Sequence, residues 1–320
     1  MTDRKALRIV FMGTPDFAVA SLNALVENGF QVVAVVTAVD KPAGRGRQMR
    51  PSAVKTYALS RQIPVLQPEK LKDPVFLEEL ASYKADLQVV VAFRMLPEVV
   101  WRMPRCGTLN VHGSLLPQYR GAAPINWALM NGDTETGVTT FFIDQSIDTG
   151  DIIDSRKVDI APDDNMGTLH DRLMEEGALL LVDTVQSIAD GTVSSHPQPA
   201  CANLRPAPKI FHETCRMDWN RSARDLFNQV RGLSPYPAAW TTLHSPKGDL
   251  QLKVFAASWA PFPEGTHPNP GTLRVEGRAL LAAAADGWLQ IQELQVEGKK
   301  RVKAEAFLCG MAGLETCTLS

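Results

Sequence analysis

Short apolar runs alternate with helix-period segments along the first half of the chain, and few folds can accommodate that order. Leu7 to Met12 is β-branched and aromatic, and Gln31 to Thr37, Leu87 to Phe93 and Thr108 to Val111 are further runs of strand length. Between the first two, Ala18, Leu22, Leu25 and Val26 recur at helical spacing. Thr14 is expected as the N-cap of that helix, Pro15 sits where a missing N–H costs nothing, and Gly29 supplies the stop. Apolar strands separated by helices require a mostly parallel sheet covered on both faces. Thr136 to Ile143 alternates as a further strand, and Thr168 to Ile188 predicts a long helix ending near Gly191.

The pattern breaks at Ser194 to Pro208, where SSHPQPACANLRPAP holds four prolines and neither a helical nor a strand period. Beyond a helix near Ser222 to Val230, short runs recur at Ala239–Leu243, Gln251–Ala257, Gly271–Val275, Ala279–Ala284 and Trp288–Val296, separated by turn residues. That spacing favours a small barrel or sandwich. With 320 residues to distribute, the expected organisation is an α/β domain over 1–193, a linker over 194–210 and a smaller β-barrel domain over 211–320.

Bulk composition excludes several classes. Apolar residues make up 45% and charged residues 21%, an ordinary globular mixture that needs no staple. The five cysteines (Cys106, Cys201, Cys215, Cys309, Cys317) are scattered, without the CxxC spacing of a zinc or redox site. The N-terminus lacks the apolar region and cleavage site of a signal peptide, and no run approaches the ~20 apolar residues that span a bilayer. A cytoplasmic protein is expected. A net charge of −2 argues against indiscriminate coating of nucleic acid, which leaves the local distribution of charge as the informative quantity.

Three stretches can carry chemistry. In Gly107-Thr108-Leu109-Asn110-Val111-His112-Gly113-Ser114-Leu115-Leu116-Pro117, a strand through His112 projects Asn110, His112 and Ser114 to one face. Those polar groups either satisfy nearby backbone or line a cleft at the carboxyl end of the sheet, where open α/β folds place ligands. In Asp144-Gln145-Ser146-Ile147-Asp148-Thr149-Gly150-Asp151, three acids flank a turn between apolar runs. They are either turn-forming aspartates or include one set against His112, where it would orient the ring and favour its protonated form. The third stretch, Asp40 to Lys55, carries five basic residues against one acid among glycines and prolines. It is either a solvated loop or a phosphate-backbone contact. Lys299-Lys300-Arg301 with Lys303 forms a smaller basic cluster. The first strand–helix turn, FMGTPDFA, lacks GxGxxG, no GxxxxGK[ST] occurs, and no acids and histidines cluster at metal-ligand spacing, so no metal is expected.

Together FMGTPDFA, PAGRGR, NVHGSLLPQYRGAAPINWALMNG, TGVTTFFID and IDTGDII, with Lys209-Ile210, Met217-Asp218-Trp219 and Ser234-Pro235-Tyr236-Pro237-Ala238-Ala239-Trp240, resemble the methionyl-tRNA formyltransferases, in order and spacing over nearly the whole chain. NxH with SLLP and DxGD is shared by the wider family of folate-dependent formyltransferases and specifies the reaction. The AGRG loop and the C-terminal half specify the tRNA branch. Ala92-Phe93-Arg94-Met95-Leu96-Pro97 departs from the family's AYGLILP pattern and is one residue shorter, at the expected border of the pterin pocket.

The resemblance implies a Rossmann-like domain, a linker and an OB-like β-barrel. It also implies 10-formyltetrahydrofolate as formyl donor, initiator methionyl-tRNA as acceptor, no membrane partner and a monomer. It assigns catalysis to Asn110, His112 and Asp148, folate binding to Ser114, Leu115, Leu116 and Pro117, and tRNA contact to Lys41, Arg45, Arg47 and Arg50. Asn110 and His112 would donate to a developing oxyanion while Asp148 holds His112 and assists proton movement. The rivals are a sugar-nucleotide or small-amine formyltransferase, which the PAGRGR loop disfavours, a nucleic-acid-binding module, which the intact Asn110, His112 and Asp148 set disfavours, and a nicotinamide oxidoreductase, which the missing glycine fingerprint disfavours.

Overall fold

Every residue of the first strand, β1 (Arg8–Gly13), is buried except Arg8, as expected of a strand with helices over both faces. The structure is a computed structural model that describes residues 7–43, 48–311 and 313–320. β1 is an interior strand of a seven-stranded sheet and pairs in parallel with β2 (Gln31–Val36) and β6 (Leu87–Val91). β5 (Val65–Leu66) continues it beyond β2, and β7 (Thr108–His112), β8 (Glu135–Phe142) and β9 (Ile152–Asp159) continue it beyond β6. The first five strands in space, β5-β2-β1-β6-β7, run parallel; β8 joins antiparallel to β7, and β9 joins antiparallel to β8. Separately, β3 (Lys41–Ala43) and β4 (Gln48–Arg50) form a short antiparallel ribbon.

The first βα turn works by close approach. A Cβ on Gly13 would lie 2.6 Å from the Cβ of Ala18 and 2.9 Å from the carbonyl oxygen of Val91, so only glycine lets α1 (Asp16–Glu27) start so near the sheet. Pro15, not Thr14, occupies the N-cap position of α1, and no side chain caps it. Gly29, at φ +79, ends the helix as expected, with its N–H bonded to the carbonyl of Val26. On one face Val10, Met12, Ala34, Val36 and Val90 pack beneath α3 (Pro74–Ser82) and α4 (Glu98–Trp101) through Phe76, Leu80 and Val100. α2 (Ala53–Ser60) is capped by Ser52, whose hydroxyl accepts from the Lys55 N–H and pairs with Thr37. α5 (Pro124–Met130) precedes β8, and the 24-residue α6 (Met166–Ala189) follows β9. Gly177 of α6 lets the helix backbone approach Val111 and Val138.

The described chain divides into two compact units: Met1–Pro124 with Glu135–Asp159 and His170–Pro206, and Ile125–Thr134 with Ile160–Leu169 and Ala207–Ser320. Of the stretch expected as a linker, residues 194–206 lie in the first unit, where His196 forms an antiparallel bridge with Ile152, and 207–210 lie in the second.

In the second unit α7 (Ala223–Leu233) packs on an antiparallel sheet in the order β12 (Leu273–Glu276), β13 (Ala279–Ala283), β14 (Gly287–Val296), β11 (Leu250–Pro261), β10 (Ala239–His244), β16 (Thr318–Leu319), with β15 (Val302–Lys303) on β14. A bridge between Thr272 and Thr318 brings the two ends of that order together, so the sheet curls into a barrel. Gly271 permits this, because a Cβ there would sit 2.2 Å from the Leu319 carbonyl oxygen. Leu226, Val230 and Leu233 of α7 join Leu252, Val254, Leu289, Ile291 and Leu294 in its core. The fold is therefore a mixed, mostly parallel α/β unit with a smaller antiparallel barrel-like one, as the strand spacing requires.

Candidate active site

β7 emerges at the carboxyl end of the parallel strands with Asn110 half-buried and His112 only 6% exposed. His112 Nε2 lies 2.8 Å from the carbonyl oxygen of Tyr119. A carbonyl only accepts, so Nε2 carries a proton and donates it. The other ring nitrogen, Nδ1, faces Asp148 Oδ2 at 3.8 Å, too far for a hydrogen bond and close enough for an ion pair once the ring is protonated. Phe141 of β8 lies edge-on to the imidazole, with ring centroids 6.5 Å apart. Among the described residues the Asn110 carboxamide has no hydrogen-bond partner, although it stands two residues from His112 on the same face of β7. A donor left free beside a buried imidazole fits an acceptor oxygen from outside the chain.

The loop between β8 and β9 separates its three acids by role. Asp144 accepts from the Ser146 N–H at 3.0 Å and the Thr149 hydroxyl at 2.7 Å, so it closes the turn. Asp151 is exposed, and its backbone carbonyl accepts from the Phe142 N–H. Asp148 alone turns inward, where its Oδ2 accepts the Gly121 N–H at 2.8 Å. It does so from the left-handed region, at φ +54, which few non-glycine residues adopt but aspartate tolerates better than most. The loop also depends on Gly150, whose Cβ would fall 1.7 Å from the Phe142 carbonyl oxygen.

Ser114 to Pro117 form the turn that leaves β7. The Ser114 hydroxyl is fully buried and donates to the Gln118 carbonyl at 2.7 Å, while Thr139 binds the Ser114 carbonyl and the Leu116 N–H. Leu115 covers Gly137, where a Cβ would meet it at 2.5 Å. Leu116 is buried, and Leu115 and Pro117 are half-buried. The Ser114 side chain thus holds the turn together. In the basic stretch Lys41 and Arg50 are exposed on the β3–β4 ribbon, 41 opposite 50 in register. Arg45 and Arg47 lie outside the described residues. Asp40 beside the ribbon binds Lys55 at 2.6 Å and Gln67 at 2.8 Å, and these bonds, chiefly the one to Lys55, hold its carboxyl below the usual carboxylate range. In the segment that departs from the family pattern, the Arg94 guanidinium donates to the carbonyls of Glu69 and Pro68, and Met95 is exposed.

Sequence reasoning did not single out Tyr119, Arg120 or Gly121 as contributors, nor Gln198. The first three sit in the quoted QYRG segment, but nothing in their spacing shows that a carbonyl and an N–H, not side chains, do the holding. Gln198 lies in a stretch whose prolines mask any period. Among the described residues no group of three or more His, Cys, Asp or Glu is placed to hold a metal ion, all five cysteines are free, and no helix is long and apolar enough to cross a membrane.

Residues 7–185 match the family described as formyl transferase, and residues 209–312 match the formyl transferase C-terminal domain. A methionyl-tRNA formyltransferase of Parabacteroides distasonis is 55% identical over 324 residues, covering 99% of both chains. One from Bacteroides fragilis is 54% identical over 312 residues, covering 96% of each. The solved N-formyltransferase from Helicobacter canadensis, in complex with folinic acid and dTDP-3-aminofucose, shares the fold with a TM-score of 0.67 at 20% identity, over 92% of this chain and 100% of that one. On these matches, which span both units, the chain belongs to the formyl transferase family, among its methionyl-tRNA formyltransferases.

Proposed function

We propose that this chain transfers the formyl group of 10-formyltetrahydrofolate to the amino group of methionine on initiator methionyl-tRNA, acting in the cytoplasm as a monomer. The observation that carries the reading is the arrangement on β7. An Asn110 carboxamide with no hydrogen-bond partner among the described residues stands beside a buried imidazole whose Nε2 is tied to Tyr119 and whose Nδ1 faces Asp148 at 3.8 Å. That donor set fits a formyl oxygen, which accepts hydrogen bonds and gains negative charge when an amine attacks its carbon. The folate supplies the formyl carbon and a leaving nitrogen that must take up a proton.

Asn110 donates an N–H to the oxygen as charge develops, an effect typically worth ~10²–10³ in rate. His112 acts through Nδ1, because Nε2–H is engaged by the Tyr119 carbonyl. With a proton on that nitrogen as well, the ring gives a second donor, 3.8 Å from the Asp148 carboxylate. The Asp148–His112 pair takes the proton lost by the attacking amine and passes it to the folate nitrogen that leaves, assistance worth roughly 10²–10⁴. The amine is itself the nucleophile, so no covalent attachment to the protein is required. Leu115, Leu116 and Pro117 contribute the folate-facing wall, with Ser114 bracing the turn from inside. Lys41, Arg45, Arg47 and Arg50 meet the tRNA backbone, a use for positive charge in a protein that must accept an anionic polymer. The test is formylation of charged initiator tRNA by the wild type and by Asn110→Ala. Transfer by the wild type and a loss of two or more orders of magnitude in the variant support the reading, and equal rates from both proteins contradict it.

A further inference from the structure

Gln198 makes a set of contacts that no role assigned above explains. Its Nε2 donates to the carbonyl oxygens of both Asp148 and Gly150, each at 2.9 Å, so one carboxamide straps the turn that carries the inward-facing aspartate. Its Oε1 lies 3.1 Å from Nε and 2.6 Å from Nη2 of Arg120. This pattern fixes which way the amide faces: guanidinium only donates and the two carbonyls only accept, so oxygen and nitrogen cannot be exchanged. Arg120 stands between Tyr119, whose carbonyl holds His112 Nε2, and Gly121, whose N–H holds Asp148 Oδ2. Three consecutive residues thus grip the imidazole, the strap and the carboxylate, and Gln198 closes the ring.

The strap has a physical purpose. Asp148 sits at φ +54, a conformation that persists only where its surroundings over-determine it. The Gly121 bond fixes one carboxylate oxygen, whereas the backbone of the turn needs its own restraint, and the two Gln198 bonds supply it on either side of Thr149. We propose that Gln198 is a positioning residue for the transfer reaction, holding the Asp148 turn so that the carboxylate stays aimed at His112 Nδ1. The proline-rich stretch around it is then part of the active site's frame as well as a connection. This inference rests on the formyl transfer proposed above.

The test compares Gln198→Ala and Gln198→Glu in the full chain, with kcat and KM measured for both substrates and thermal unfolding followed in parallel. Glutamate keeps the shape and the bond with Arg120 but presents oxygens to both carbonyls, so a role in packing alone would survive that change. The expected result is a fall in kcat of between about 10- and 100-fold in each variant, as for a displaced catalytic group. KM for each substrate should stay within about threefold, and both proteins should unfold cooperatively. Wild-type kcat in Gln198→Glu, or a loss confined to KM, overturns the proposal. A wild type inactive on methionyl-tRNA refutes the proposed function instead, so the two failures are distinguishable.

Discussion

The Nε2 of His112 donates to the Tyr119 carbonyl at 2.8 Å, which leaves Nδ1, 3.8 Å from Asp148, as the ring nitrogen that can exchange a proton with substrate. Replacing His112 by alanine should reduce kcat by roughly 10²–10⁴. It also removes the hydrogen bond to the Tyr119 carbonyl, a loss of about 1–3 kcal/mol that should leave the protein folded. Rapid-quench formylation beside thermal unfolding checks both statements. An activity loss that merely tracks the loss of folded protein would count against a catalytic histidine.

Asp148→Asn is the cleaner probe of the carboxylate. Asparagine tolerates the left-handed backbone at φ +54 and can still accept the Gly121 N–H, so geometry survives and only charge is removed. The expected outcome is a kcat lower by about 100-fold with unchanged stability. Asp148→Ala should show the same catalytic defect plus some destabilisation from the strained turn. Wild-type turnover in the asparagine variant would show that the charge is not needed.

Gly150→Ala tests whether the turn can be built any other way. Its Cβ would meet the Phe142 carbonyl oxygen at 1.7 Å, so the backbone must shift. Destabilisation of about 1–3 kcal/mol and at least about a tenfold loss of kcat are expected, the second because Asp148 moves with the turn. Denaturant unfolding and kinetics on one preparation decide it, and full activity would mean that the position of Asp148 is not critical.

The exposed pair Lys41 and Arg50 should act on tRNA and not on folate. Double replacement by alanine is expected to raise KM for methionyl-tRNA and to flatten its salt dependence by about one unit of slope per phosphate contact removed. Folate binding, read by fluorescence or calorimetry, should not change. Equal damage to both substrates would refute a dedicated tRNA contact.

The Asp40–Lys55 pair carries a pH signature. Asp40 titrates below the ordinary aspartate value of about 3.9, chiefly because Lys55 donates to it. A carboxyl depressed in the folded state contributes stability above its unfolded pKa and loses it as pH falls through the folded one. Lys55→Met should therefore be less stable than wild type at neutral pH, with the difference closing in acid below the ordinary aspartate value. A difference that persists unchanged at low pH would assign the defect to packing instead.

Much of this was legible from residues alone, for physical reasons. β1, β2, β6, β7, β8, α1 and α6 follow from apolar runs and helical spacing, because burial on one face or both writes itself into the period. The strand–turn signals of the second unit did the same for β10 to β14. Asn110 and His112 stood out as polar groups on one face of a strand, whereas residue types did not separate Asp148 from Asp144 and Asp151; the family resemblance pointed to Asp148, and the loop's hydrogen bonds show that it is the acid turned inward. α1 begins one residue later than Thr14 suggests, because Pro15 itself takes the cap position. Hidden altogether was what backbone groups do. The Tyr119 carbonyl and the Gly121 N–H belong to every peptide, so no residue type announces them. Gln198 lay in a proline-rich stretch where pattern carries no information about partners.

Incubating the purified protein with 10-formyltetrahydrofolate and initiator methionyl-tRNA, with uncharged tRNA and free methionine as controls, decides the assignment of the reaction. Formyl label appearing on the charged tRNA alone, and disappearing in Asp148→Asn, is the predicted result. Folate binding without any transfer to methionyl-tRNA, or transfer undiminished in that variant, would contradict the account.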